Sequence, residues 1–354
     1  MNLDEILSKG VQVGASDVHI TVGLPPMLRT VGDLMPIAEL KELEPKDTSE
    51  LLLGILSAEQ KQHFVERGEV DLSYSVAGVG RFRVNIYHQR GSVAGAFRLI
   101  PTEIRSLEQL GIPKCVGTVA EKHRGLFLVT GPTGSGKTTT LAALIDIINK
   151  TRPCHIITLE DPIEYLHQHN KAMVNQREIG TDSASFANGL RAALREDPDV
   201  ILVGEMRDPE TTSIAVTAAE TGHLVLATLH TVDTVQTIDR IIDQFPAAQQ
   251  GQIRIQLAGV LLGVMSQQLM PNKDNSGRCV AVEVMMATPA AKNLIREGKT
   301  HQIYSVIQTG ARFGMQSMDN ALKDLFFSRK ISKEEAINRA IDQEELKRMI
   351  GAAI

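Results

Sequence analysis

The sequence has no tryptophan, and aromatic residues make up only 4% of it. Proteins that grip single-stranded nucleic acid stack the bases on aromatic side chains, so the chain is poorly equipped as a nucleic-acid translocase. Neither sign of charge prevails: 37 Lys and Arg stand against 42 Asp and Glu, for a formal net charge of -5. The broad positive field of a nucleic-acid binder is missing, and no nucleic-acid partner is expected. Cysteine is scarce. Cys115, Cys154 and Cys279 lie far apart with no CxxC pair. That excludes a four-cysteine zinc site, gives no disulfide framework and fits a reducing cytoplasm. Long apolar runs are also missing. The longest uncharged apolar-rich stretch, near Leu257–Leu269, carries Ser266, Gln267 and Gln268 and is too short to span a bilayer. It reads as a core helix. The opening MNLDEILSKG is acidic and amphipathic, unlike a secretory signal. A soluble or peripheral protein is the expectation. With 354 residues, 43% apolar and 22% charged, the chain suits about two or three globular domains.

The first hundred residues read as a small α+β domain. A short helix starts at Asp4–Leu7. Strands are expected at Val18–Thr21 and Met27–Val31, with Gly23 and Pro25-Pro26 turning between them. Ser49–Glu66 has helical spacing, and Val70–Val76 alternates as a half-buried strand does. In Arg81–Tyr87, Phe82, Val84 and Ile86 point one way and Arg81, Arg83, Asn85 and Tyr87 the other. A third strand runs to Ile100 and carries Arg98. The result is an antiparallel meander with one face bearing arginines. Arginines on such a face are by default a solvated surface. Residues 101–113, with proline at both ends, read as a linker. From 114 to 354, short apolar strands alternate with helices, the pattern of a mainly parallel α/β sheet, and the end of the chain is helical.

The clearest motif is Gly131, Pro132, Thr133, Gly134, Ser135, Gly136, Lys137, Thr138, followed by Thr139. It fits G-x-x-x-x-G-K-[ST], between the apolar strand Leu126–Thr130 and the helical run Thr139–Ile148. The glycines let backbone N–H groups face phosphates, and the helix N-terminus adds favourable partial charge. Lys137 is expected to reach the β- and γ-phosphates and Thr138 to hold Mg²⁺, so ATP and Mg²⁺ are the cofactors implied.

Three further strands end in polar residues. His155–Leu159 leads to Glu160, Asp161 and Glu164; Val200–Val203 leads to Gly204 and Glu205; Leu224–Thr228 leads to His230. Ligands of open parallel sheets bind beyond the carboxyl ends of the strands, so Lys137, Glu164, Glu205 and His230 should face one crevice. Glu205 resembles a Walker B acid able to hold Mg²⁺, although Gly204 stands where many nucleotide hydrolases carry a metal-binding Asp. One of Glu160, Asp161 and Glu164 is suited to orienting water, while Asp161, before Pro162, suits a turn. His230 is placed to sense a γ-phosphate; His223 lies on the far side of its strand.

These motifs resemble the secretion ATPase superfamily, in particular its type IV pilus retraction branch. GPTGSGKTTT at Gly131–Thr140, ITLEDPIE at Ile157–Glu164, LRAALREDPDVILVGEMRD at Leu190–Asp208 and TGHLVLATLHT at Thr221–Thr231 stand in the order of that family's motifs. ASDVHI at Ala15–Ile20 resembles the start of its PAS-like N-terminal domain. The resemblance implies a RecA-like P-loop ATPase domain at 114–354 after a PAS-like domain at 1–100. It implies a homohexameric ring with nucleotide held between the domains, Glu164 as the water-orienting carboxylate and Glu205 as the Walker B acid. It also implies that Arg81, Arg83 and Arg98 complete the site, and that the ring works from the cytoplasm on a pilus platform protein of the inner membrane. AAKNLIRE at Ala290–Glu297 resembles the AIRNLIRE motif of retraction ATPases and should be helical, with Leu294 and Ile295 inward and Lys292 and Arg296 on a charged face. Pilus assembly or type II secretion is the alternative; such ATPases usually carry a longer N-terminal region and a tetracysteine module. A non-hydrolysing regulator is disfavoured by the set Lys137, Thr138, Glu164 and Glu205.

Overall fold

The computed structural model describes residues 2–30, 33–37, 39–101, 103–274 and 277–351. Val31, at the end of one expected strand, and Thr102, in the expected linker, lie outside them. The chain forms two compact units: Met1–Glu103 with Glu164–Leu166, and Ile104–Ile163 with His167–Ile354.

The first unit runs α1 (Leu3–Gln12), β1 (Asp17–Ile20), β2 (Met27–Thr30), β3 (Asp33–Pro36), α2 (Pro45–Leu53), α3 (Ala58–Arg67), β4 (Glu69–Val76), β5 (Gly80–Gln89) and β6 (Ser92–Ile100). Its strands pair antiparallel in the order β3-β2-β1-β6-β5-β4. Alternation along the strands builds the core: Val18, Ile20, Phe82, Val84, Ile86 and Phe97 are buried with Ile6 and Leu7 of α1 and Leu52 of α2. The stretch expected as one helical run, Ser49–Glu66, is broken. Ser57 opens α3 with a capping box, its hydroxyl accepting from the Gln60 N–H and the Gln60 side chain accepting from the Ser57 N–H.

The opposite sheet face carries the arginines as expected. Arg83 pairs across to Arg98, Arg98 to Asp17, and Asp17 to Arg29. Like charges facing each other repel, and Asp17 relieves the row. Arg98 Nε donates to Asp17 Oδ1 at 2.8 Å. Burial works to raise the Asp17 carboxyl, but hydrogen bonds from Ser16 and Arg98 outweigh it and hold its pKa below the usual value.

The second unit begins with α4 (Lys114–Gly117), β7 (Gly125–Thr130), α5 (Lys137–Thr151), β8 (His155–Glu160), β9 (Met173–Glu178), α6 (Phe186–Ala193) and β10 (Val200–Val203). It continues with α7 (Pro209–Glu220), β11 (Leu224–Leu229), α8 (Thr234–Asp243), α9 (Ala247–Val260), β12 (Leu261–Pro271) and β13 (Arg278–Met286). The helices α10 (Pro289–Arg296), α11 (Ile303–Thr309), α12 (Met318–Phe327), α13 (Lys333–Arg339) and α14 (Gln343–Met349) close the chain. The sheet order is β13-β12-β7-β11-β10-β8-β9, with β12 through β9 parallel and β13 antiparallel at the edge. Helices cover both faces. Leu126 and Leu128 of β7 enter one apolar cluster, and Phe127 and Val129 enter the other. Burial on both sides is why the central strands read as unbroken apolar runs.

The α/β class, with a small α+β domain ahead of a parallel-sheet domain, stands as expected. One expectation fails. Leu257–Leu269 is not a core helix: α9 ends at Val260, and β12 begins at Leu261. No helix among the described residues is long and apolar enough to cross a membrane.

Candidate nucleotide site

β7 is buried along its whole length and ends at Thr130. The chain then curls through Gly131 (φ 141°), Gly134 (φ 78°) and Gly136 (φ 89°) before α5 begins at Lys137. These are backbone conformations that only glycine adopts without strain. Gly136 caps α5 without a side-chain hydrogen bond, so the first-turn N–H groups are left to an outside acceptor. Lys137 is buried, and its Nζ donates to the carbonyls of Gly131 (2.9 Å) and Pro132 (3.2 Å). Ser135 Oγ is buried and has no hydrogen-bond partner among the described residues. A curled loop, a buried ammonium, an orphaned hydroxyl and an open helix N-terminus together suit a phosphate chain. Thr138 and Thr139 are half-buried at the start of α5.

The strand order sets the carboxyl ends of β7, β11, β10 and β8 side by side. The structure brings Glu205 and His230 together as the crevice argument required. His230 Nε2 lies 3.1 Å from Glu205 Oε1, and Arg207 Nε lies 2.6 Å from the same oxygen. Burial pushes the Glu205 carboxyl up, but the hydrogen bonds from Arg207 and His230 win and keep its pKa below the ordinary carboxylate range. The carboxylate is thus held ionised beside a cavity of about 480 Å³, which His230, Gln236 and Arg240 also line. The glycine before it has a physical reason. A Cβ on Gly204 would come 3.0 Å from the Leu159 carbonyl oxygen and 3.3 Å from Glu160 Cα. Neighbouring backbone fills the space that an Asp side chain would need.

The acids after β8 separate. Glu160 is buried and accepts from Thr158 Oγ1 (2.6 Å) and Gln176 Nε2 (3.1 Å), which ties it into the sheet. Asp161 is exposed; Arg207 is held mainly by Glu205, and the Asp161 charge adds a weaker attraction. Glu164 is exposed beyond Ile163 and falls within the first unit, as do Arg81, Arg83 and Arg98. His223 closes the end of α7, with Nδ1 2.9 Å from the Ala218 carbonyl.

Two groups were not found from sequence. Gln267 packs against the phosphate loop, and its only signal was an uncharged polar pair breaking an apolar run. His167 is half-buried; burial brings its pKa down to about 4, with Asp146 pulling weakly the other way. AAKNLIRE is helical, lying within and just beyond α10, with Ile295 buried and Leu294 packed on the core. Its charged face is not wholly solvated: Lys292 is half-buried and donates to the Gly259 carbonyl at 3.0 Å.

Residues 98–338 match the family described as type II/IV secretion system protein. The chain belongs to that family. It is 49% identical over 340 residues to the type IV pilus retraction ATPase PilT of Pseudomonas aeruginosa, covering 96% of this chain and 98% of that one. It is 48% identical over 321 residues to a twitching motility protein of Neisseria gonorrhoeae, covering 91% and 86%. The crystal structure of the pilus retraction motor PilT with bound ADP superposes with a TM-score of 0.90 at 48% identity, over 98% of this chain and 99% of that one. Within this secretion family, the likeness spans both units and not the phosphate loop alone.

Proposed function

We propose that this chain is a motor ATPase that turns ATP hydrolysis into retraction of a type IV pilus, and so into twitching motility. The observation that carries the reading is the phosphate cradle of Gly131–Thr138 beside the Glu205–His230–Arg207 cluster, in a chain alike over nearly its whole length to pilus retraction ATPases. Among the described residues no group of three or more His, Cys, Asp or Glu is arranged to hold a metal. Mg²⁺ is commonly held by one or two protein oxygens plus substrate phosphates. Thr138 and Glu205 are the residues that would hold it, and the ion would neutralise phosphate charge. Lys137 binds the β- and γ-phosphates, and Glu164 orients the attacking water. His230, already on Glu205, reports whether a γ-phosphate is present. Arg81, Arg83 and Arg98 add positive charge from the first unit.

In this reading residues 1–100 and 114–354 are the working domains, 101–113 is the linker between them, and the assembly is a homohexamer. It works at the cytoplasmic face of the inner membrane against a pilus platform protein, with no nucleic acid involved. The test is genetic and biochemical. The purified chain should hydrolyse ATP with Mg²⁺, and deleting its gene should leave piliated cells that cannot twitch. Cells lacking pili would favour an assembly ATPase, lost protein secretion would favour a type II secretion ATPase, and unchanged pili and motility would sink both pilus readings.

A further inference from the structure

We propose that Gln267 is the positioning residue of the phosphate loop, holding it in its binding shape from the neighbouring strand before nucleotide arrives. The proposal rests on reading Gly131–Thr138 as the nucleotide site. The parallel register of β12 with β7 ends at Ser266 opposite Thr130, so Gln267 stands beside the loop itself. Its side chain is only 2% exposed, and both ends of the amide are used. Nε2 donates to the Ser135 carbonyl at 2.5 Å, and Oε1 accepts from Thr140 Oγ1 at 3.1 Å. One bond fixes the loop, and the other fixes the first turn of α5.

The loop is also shaped around this residue. A Cβ on Gly136 would come 3.1 Å from Gln267 Nε2, and one on Gly131 would strike the Gln267 main-chain oxygen. In a planar trans peptide the N–H points opposite to the C=O. The bond from Gln267 to the Ser135 carbonyl therefore aims the Gly136 N–H away from β12. Gln267 cannot drift, because its chain neighbours are tied down. Ser266 Oγ is 2.7 Å from Thr130 Oγ1, and Gln268 Nε2 donates to the Arg339 carbonyl at 3.4 Å. A loop fixed in this way loses less freedom when phosphates bind, so the residue should act on affinity. Glutamine is the suitable type: a glutamate would lose the donor to Ser135 and place negative charge beside the phosphates.

The experiment uses the full chain with Gln267→Leu, Gln267→Glu and Thr140→Val, reading ADP affinity by calorimetry, ATP KM and kcat, and thermal melting. Both Gln267 variants should raise the ADP Kd and the ATP KM about tenfold or more, with saturated kcat within about threefold of wild type. Thr140→Val, which removes one of the two bonds, should give a smaller rise of the same kind. Folded variants with Kd and KM within about twofold of wild type would overturn the role, as would a fall in kcat with KM unchanged. Should Gln267→Leu fail to fold, the isosteric Gln267→Glu and the milder Thr140→Val decide. A wild-type chain that binds no ADP would remove the nucleotide reading of the loop as well, whereas binding that the variants leave intact removes only Gln267.

Discussion

Gly131→Ala isolates the steric demand at the heart of the phosphate loop. The backbone there has φ 141°, and the added Cβ would meet the Gln267 main-chain oxygen, Ser135 Oγ at 2.6 Å and Ser135 Cβ at 3.2 Å. The serine hydroxyl can rotate away. The Gln267 carbonyl cannot, since β12 is pinned between β7 and β13. The loop must therefore move. An alanine in a glycine-only conformation costs about 1–3 kcal/mol, and overpacking adds about 1–3 kcal/mol. The loop can relax by leaving its binding shape, so most of this cost should appear as lost affinity and not as global unfolding. About 3 kcal/mol corresponds to a rise of about a hundredfold in the ADP Kd. Gly134→Ala is the control. It also has positive φ (78°), but its Cβ meets nothing within 4 Å, so only backbone strain of about 1–2 kcal/mol remains. Titration calorimetry on the two variants, with melting temperatures alongside, separates the clash from the strain. An ADP Kd for Gly131→Ala within about threefold of wild type, at unchanged melting temperature, would refute the reasoning.

Lys137→Ala should abolish ATP turnover and leave nucleotide binding weak or undetectable by calorimetry, because the phosphates lose their buried cation. Glu164→Gln should keep ADP affinity near wild type but slow hydrolysis by about a hundredfold or more, measured by phosphate release; near-normal turnover would remove Glu164 from the role. His167 gives a pH prediction. Its folded pKa of about 4 lies below the ordinary 6.5, so the unfolded chain takes the proton first as pH falls. Its contribution is fully present above about pH 6.5 and is lost progressively toward pH 4, by on the order of 3 kcal/mol at the limit. Urea midpoints across that range should fall less steeply for His167→Leu; an unchanged slope would show that the ring already titrates normally.

The phosphate loop was legible because its local signals agree: an apolar strand, a glycine pattern that needs positive φ, and a helix starting at the lysine. The central strands were legible because burial on both faces leaves Val200–Val203 and Leu224–Leu229 with scarcely a polar residue. The arginine face was legible because strict alternation survives in Arg81–Tyr87. Edge strands left fainter marks. β3 is exposed along its length, and β9, which among the described residues pairs only with β8, mixes buried with exposed positions. Neither carries the pattern that burial on two faces imposes, and neither was found.

Those omissions reached the site. Without the family resemblance, Glu160 could not be separated from Glu164 by sequence, because its partner Gln176 lies on the unrecognised β9. The larger loss came from Leu257–Leu269, where an apolar run suits a buried helix or a buried strand equally well. As a helix it turns Ser266, Gln267 and Gln268 to successive directions with no bearing on the loop. As a strand it sends neighbours to opposite faces. Val264 joins the cluster of α8, Met265 joins that of α5, and Gln267 follows Met265 toward α5 and the loop. The sequence does hold a hint in Gly263. A Cβ there would come 2.7 Å from the Met285 carbonyl, the close approach of a paired strand. The polar pair that seemed only to interrupt an apolar run sits at the end of that strand, where the parallel sheet presents its ligand-binding edge. Whether Gln267 belongs to the site thus turned on one element's type, which the tertiary pairing of β12 with β7 and β13 decides and local periodicity does not.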